Sequence, residues 1–212
     1  MVDVALMANV RRHRLGVQTP VQVNDYGDLL FAQGLPPYTE ITREGGGYQA
    51  MSTAAVAALV VRPTTVAIAT LWNGEPGGGR SLIIDAAFIH NLVAVANSSF
   101  GIWLCVHPEG MAAPTNDITV RNSLSGKPAG SGARVFFDNG ATVLDDGWFP
   151  WGNSDHTVTV TVPGGQLTAE VNGRIIIPPT AGLSLSVVAS TTAVTVTSGF
   201  RWYEKVLPQT VP

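Results

Sequence analysis

The chain has 212 residues, a formal net charge of -3, 13% charged and 45% hydrophobic residues, and a mean hydropathy of +0.22. That length suits one large β domain with a core of its own, or such a domain with an appended arm. The charge balance gives no global basic footprint for nucleic acid, and no run approaches the ~18 consecutive apolar residues of a membrane helix. Soluble domains carry ~25% charged residues, so the surplus apolar surface here is expected to be buried against other subunits.

Residues 1–50 differ in texture from the rest. Met1 to Ala8 includes Asp3 with no basic stretch before an apolar core, so no secretory leader is expected and assembly inside a cell is the default. Arg11, Arg12 and Arg14 flank His13 in a short basic cluster. It suits contact with nucleic acid or with an acidic neighbouring subunit, or else a solvated patch on a flexible end. Residues 21–31 suggest a small hairpin, Pro36-Pro37 forces an extended path, and Gly45-Gly46-Gly47 reads as a flexible break. Together these describe an N-terminal arm, residues 1–50, that packs on a neighbour, followed by a β domain, residues 51–212. Residues 50–61 fit a short helix or a strand equally.

From residue 64 onward the texture is almost wholly β. Strands are expected at 64–71, 81–92, 100–107, 118–122, 134–137, 141–144, 157–162, 167–171, 173–177, 183–189 and 193–203. The alternation is cleanest in Leu183-Ser184-Leu185-Ser186-Val187 and Val194-Thr195-Val196-Thr197. Asn73-Gly74, Asn139-Gly140 and Asn172-Gly173 sit between apolar runs, and Asn-Gly readily adopts the paired positive φ angles of a tight hairpin. Pro178-Pro179 cannot donate to a ladder, so a strand must end there, as at a connection crossing between sheets. Many short strands without interleaved amphipathic helices specify an all-β fold, a jelly roll or β-sandwich with an extended N-terminal arm.

No catalytic constellation emerges. Gly77-Gly78-Gly79-Arg80 lacks the Lys-Ser/Thr of a phosphate loop and reads as a loop between strands. His13, His90, His107 and His156 are too widely spaced for a metal-binding pair, although strands could join His90 to His107; they read as satisfied core or interface groups. Asp145-Asp146 and Asn116-Asp117 offer oxygen ligands in loops, without the spacing of a calcium loop. The lone cysteine, Cys105, lies among apolar residues and reads as a small buried hydrophobe. No cofactor, metal site or enzymatic activity is expected. Trp148-Phe149-Pro150-Trp151-Gly152 is the sharpest local feature. Read as a loop, Trp148, Phe149 and Trp151 either anchor an interface, or the two indoles form a platform on which a sugar ring stacks.

Several segments carry a resemblance: Leu35-Pro36-Pro37-Tyr38, Thr70-Leu71-Trp72-Asn73-Gly74-Glu75, Phe100-Gly101-Ile102-Trp103-Leu104-Cys105-Val106-His107-Pro108, Gly147-Trp148-Phe149-Pro150-Trp151-Gly152 and Gly199-Phe200-Arg201-Trp202-Tyr203. They resemble proteins encoded by tailed bacteriophages and environmental viral genomes. The closing strands also resemble those of jelly-roll proteins in viral capsids and in trimeric tumour necrosis factor-like domains. The resemblance implies a virion structural protein and transfers no site residue. The expectation is a non-enzymatic capsid decoration or cement subunit, a homotrimer that contacts itself and other virion proteins and is assembled in the host cytoplasm. The alternative is a receptor- or carbohydrate-binding protein of a phage tail or fibre, taking a glycan on Trp148 and Trp151.

Overall fold

The structure is a computed structural model that describes residues 38–65, 67–93, 99–113, 115, 117–128, 130–137, 147–155 and 166–207. The chain divides into two compact units, Met1–Glu40 and Ile41–Pro212. The second unit is a β-sandwich of two antiparallel sheets. The seven-stranded sheet runs β10 (Gln166–Glu170), β4 (Ser81–Val93), β13 (Thr195–Lys205), β1 (Gly47–Met51) and β7 (Arg121–Asn122); β11 (Ile176–Ile177) also pairs with β4, and β2 (Val56–Ala57) with β13. The six-stranded sheet runs β6 (Asp117–Ile118), β8 (Ala133–Phe137), β3 (Ala69–Asn73), β12 (Gly182–Ala189), β5 (Ser99–His107) and β9 (Trp148–Asp155).

Period-two alternation places the core between the sheets. On β13, Val196, Phe200 and Trp202 point inward and are buried, while Arg201 is exposed. They meet Leu183, Leu185 and Val187 of β12 and Ile102 and Leu104 of β5 in one continuous apolar cluster. Burying each large side chain contributes about 1.5–3 kcal/mol. β4 and β13 pair along their whole lengths, from Thr195↔Val93 to Lys205↔Ser81, with two register shifts.

The chain crosses between the sheets repeatedly. Pro178 and Pro179 end β11 in one sheet, Thr180 takes a positive φ of 66°, and β12 starts in the other, as the two prolines suggested. The single strand expected at 118–122 is divided: β6 pairs with β8 and β7 with β1, in opposite sheets. After β2, the Ala58 N–H donates to Val194 O (2.9 Å) in one sheet, and the Leu59 N–H to Val187 O (2.9 Å) in the other.

Four local expectations are corrected, the Asn73-Gly74 hairpin among them, since β3 and β4 lie in different sheets. Gly45-Gly46 is a helix stop rather than a flexible break, and Gly47 opens β1: the short helix α1 (Thr39–Arg43) ends with Gly46 N–H on Ile41 O and Gly45 N–H on Thr42 O, both 2.9 Å, with Gly45 at φ 80°. The sandwich therefore begins before residue 51, and residues 50–61 hold strand ends and β2 rather than a helix. Asn172-Gly173 does take positive φ (51° and 76°) but makes no hairpin, because β10 and β11 both lie along β4 and the turn bulges out between them. Asn73 closes β3 with its side chain buried, donating to Arg80 O (2.9 Å) and Ile177 O (3.1 Å), and the chain then passes to the other sheet. Asn139-Gly140, the hairpin at 21–31 and the strands expected at 141–144 and 157–162 lie outside the described residues.

Two substitutions probe this packing. A Cβ on Gly199 would sit 2.5 Å from Ala50 O and 2.5 Å from the Phe88 ring, so Gly199→Ala is expected to lower stability by about 1–3 kcal/mol. Asn91 is 1% exposed and, among the described residues, neither its amide nitrogen nor its oxygen has a hydrogen-bond partner. Asn91→Leu is expected to raise unfolding stability in urea by about 1–3 kcal/mol with an unchanged m value.

Candidate functional site

The Trp148–Trp151 segment is an edge strand, β9, and not a loop. It pairs with β5 as Cys105↔Trp148, Leu104↔Phe149, Trp103↔Pro150 and Ile102↔Gly152, with a bulge that absorbs Trp151. Pro150 is tolerated because an edge strand needs no ladder on its free side. Trp148, 5% exposed, packs with Cys105, Ala67 and Trp103, and its indole N–H donates to Thr64 O at 2.6 Å. Phe149 and Trp151 pack on the main core instead, 5.5 Å apart, and the Trp151 N–H donates to Glu170 O at 3.1 Å. The two indoles thus serve opposite faces of the sheet, so they do not form one shared stacking platform. Arg11, Arg12 and Arg14 lie outside the described residues.

Cys105 is buried, as its neighbours suggested. His90 and His107 fall in different sheets and do not meet. His107 instead joins a line of side chains across three strands: its Nε2 lies 2.7 Å from Ser184 Oγ, which lies 2.8 Å from Thr70 Oγ1. A serine beside a histidine is the beginning of a nucleophile pair. Here Ser184 is 0% exposed and Thr70 1%, so a substrate carbonyl has no approach, and the line bonds β5, β12 and β3 together. Burial holds the His107 imidazole below its ordinary pKa.

A second cluster borders a concavity of about 430 Å³ that Tyr48, Arg80, Lys127 and Glu204 line. Arg80, which follows the Gly77-Gly78-Gly79 turn, holds Glu75 Oε1 through Nε (2.9 Å) and Nη2 (2.5 Å), Glu204 Oε2 through Nη1 (2.9 Å), and Gly130 O through Nη2 (2.9 Å). Glu204 Oε1 also accepts from Ser131 Oγ and from the Trp202 indole at 3.2 Å. Desolvation alone would weaken the guanidinium's hold on its proton; bonds from Glu75 and Tyr48 and the charge of Glu204 outweigh it and raise its pKa. The two carboxylates are clustered as a hydrolase would need, but one arginine clamps both.

Another concavity lies at the edge of the seven-stranded sheet. A groove of about 700 Å³ runs between the end of β1 (Gln49, Met51, Thr53) and the segment linking β6 to β7 (Asp117, Thr119, Arg121), with Phe88 of β4 on its wall. Gln49 stands between Arg121 and Arg201 in cross-strand register. Arg201 covers the Phe88 ring at 5.9 Å and reaches Asp85 at 4.0 Å. Burial, ahead of repulsion from Glu170, raises the Asp85 pKa against the pull of Arg201. Asp117 is held by Arg134, with Oδ2 2.7 Å from Nη2. Sequence reasoning assigned no role to Glu204, Gln49, Arg121 or Arg201 and read Arg80 only as part of a loop, because only long-range pairing brings these residues together. Among the described residues, no group of three or more His, Cys, Asp or Glu is placed to hold a metal ion, and no helix is long and apolar enough to cross a membrane.

The His107 line carries a pH dependence. Its folded pKa lies below the unfolded value of ~6.5, so the unfolded chain takes up the proton first. The contribution is complete above ~6.5 and is lost as the pH falls toward the folded pKa. Urea midpoints are expected to drop over that acidic window, and His107→Gln is expected to flatten the drop. A wild-type midpoint that rises with acidification across that window would contradict this assignment.

No protein-family model, curated protein or solved structure matches the chain.

Proposed function

We propose that this chain is a structural subunit of a virus particle, a decoration or cement protein on a tailed-phage capsid. It associates as a homotrimer and with other virion proteins through apolar and main-chain contacts. One observation carries the reading: large apolar side chains stand outside the sandwich, while Thr70, Ser184, His107 and the Glu204 carboxylate are buried within it. Val60 and Val61 are adjacent and 51% and 65% exposed, and Val106 and Ile176 are 42% and 47% exposed. With only 13% charged residues, such a surface is stabilised by burial against another subunit. The resemblance to phage and environmental viral proteins in Trp72-Asn73-Gly74, in the β5 segment and in Gly199-Phe200-Arg201-Trp202-Tyr203 supports placing that subunit in a virion.

Light scattering of the intact chain is expected to give three times the 22.2 kDa chain mass, or a larger particle. The double substitution Val60→Asp, Val61→Asp is expected to shift it toward one chain mass while leaving circular dichroism unchanged, because both side chains point into solvent. A wild-type monomer throughout the micromolar range would overturn the reading.

A further inference from the structure

The groove at the end of β1 is an unfinished part of the ladder. In β1, alternate residues face β7: the Ser123 N–H bonds Gly47 O at 2.9 Å, and Gln49 is in register with Arg121. The next residue of that set is Met51. Beyond Arg121 the partner segment leaves to pair with β8 through Asp117 and Ile118. The Met51 N–H and C=O are therefore aimed into the groove, past the last pair with β7. An open main-chain edge of this kind recruits an extended peptide.

The side chains around that edge define the peptide's charge. Arg121 is exposed and lines the groove; among the described residues its guanidinium has no hydrogen bond or ion pair. Gln49 beside it is exposed with its amide likewise uncommitted. Arg201 stands on the same row, turned to Asp85. The carboxylates nearby do not cancel Arg121, because Asp117 is held bidentately by Arg134 and Asp85 faces Arg201. Met51, 40% exposed, and Phe88 supply apolar contact beside these groups. A planar guanidinium and an amide side by side suit a carboxylate.

We propose that this groove binds an extended acidic peptide. Its backbone continues the ladder at Met51, and a glutamate or aspartate side chain is held by Arg121 and Gln49. Its source is a segment of another protein, since the fit requires main-chain amides as well as a carboxylate. The inference rests on the groove alone and holds whether or not the chain forms trimers.

The test is fluorescence anisotropy with a fluorescein-labelled heptapeptide of alternating valine and glutamate, its glutamine counterpart, and a fluorescein-labelled oligouronate. The glutamate peptide is expected to bind, the glutamine peptide at least tenfold more weakly, and added salt to weaken the former. Arg121→Ala, which removes no hydrogen bond or ion pair among the described residues, is expected to cost at least tenfold with an unchanged melting temperature. Absence of binding, or equal binding by Arg121→Ala, overturns the proposal. Arg121-dependent binding of the oligouronate without any of the peptide also overturns it, by assigning the groove to acidic sugars. A monomeric chain that binds the glutamate peptide leaves this proposal standing while removing the trimer.

Discussion

The pairing of β4 with β13 is the constraint on which the rest of the sandwich depends. Eleven residues of β13 are held against β4 from Thr195 to Lys205, and this length aligns every inward side chain of the central pair. Trp202 is set by it: the indole stacks on Tyr48 of β1 with ring centroids 6.1 Å apart and points its N–H at Glu204. Glu204 can then meet Arg80, which in turn gathers Glu75 and Gly130. A buried carboxylate without such a partner is strongly destabilising, so Glu204 is satisfied only when β13 is in register.

The same logic accounts for the polar groups that look chemical in isolation. Thr70, Ser184 and His107 lie on three neighbouring strands of the six-stranded sheet and satisfy one another away from water. The Trp148 and Trp151 N–H groups each donate to a main-chain carbonyl, so β9 is tied on one face to Thr64 and on the other to Glu170 of the opposite sheet. Such bonds contribute about 1 kcal/mol apiece, while leaving a buried donor unpaired costs more. These residues specify which surfaces come together. The outward apolar residues and the groove at Met51 are what the fold leaves exposed.

Much of this architecture was legible in local sequence. The alternation in Leu183 to Val187 and in Val194 to Thr197 marked strands that put their apolar side chains into the core, because side chains alternate across a strand; the serines on the other face of β12 proved to be buried as well, against the neighbouring strands. Pro178-Pro179 marked a crossing between sheets for the mechanical reason that proline cannot donate. Trp148-Phe149-Pro150-Trp151-Gly152 misled, since proline and glycine among aromatics read as a loop, yet an edge strand accepts both where a bulge takes up the extra residue. Asn172-Gly173 displayed its turn chemistry, but whether the chain reverses or returns to the same neighbour is decided by β4, far away in sequence. Arg80 and Arg121 gave no local signal at all. One is defined by the carboxylates it clamps and the other by a ladder that ends beside it.

The central claim is that apolar side chains outside the sandwich are covered by other copies of the chain. Amide hydrogen exchange of the intact protein, compared between nanomolar and high-micromolar concentration, tests it most directly. The account predicts concentration-dependent protection in the segment containing Val60 and Val61, with the β4–β13 ladder protected at both concentrations. Identical exchange in that segment at both concentrations would contradict it.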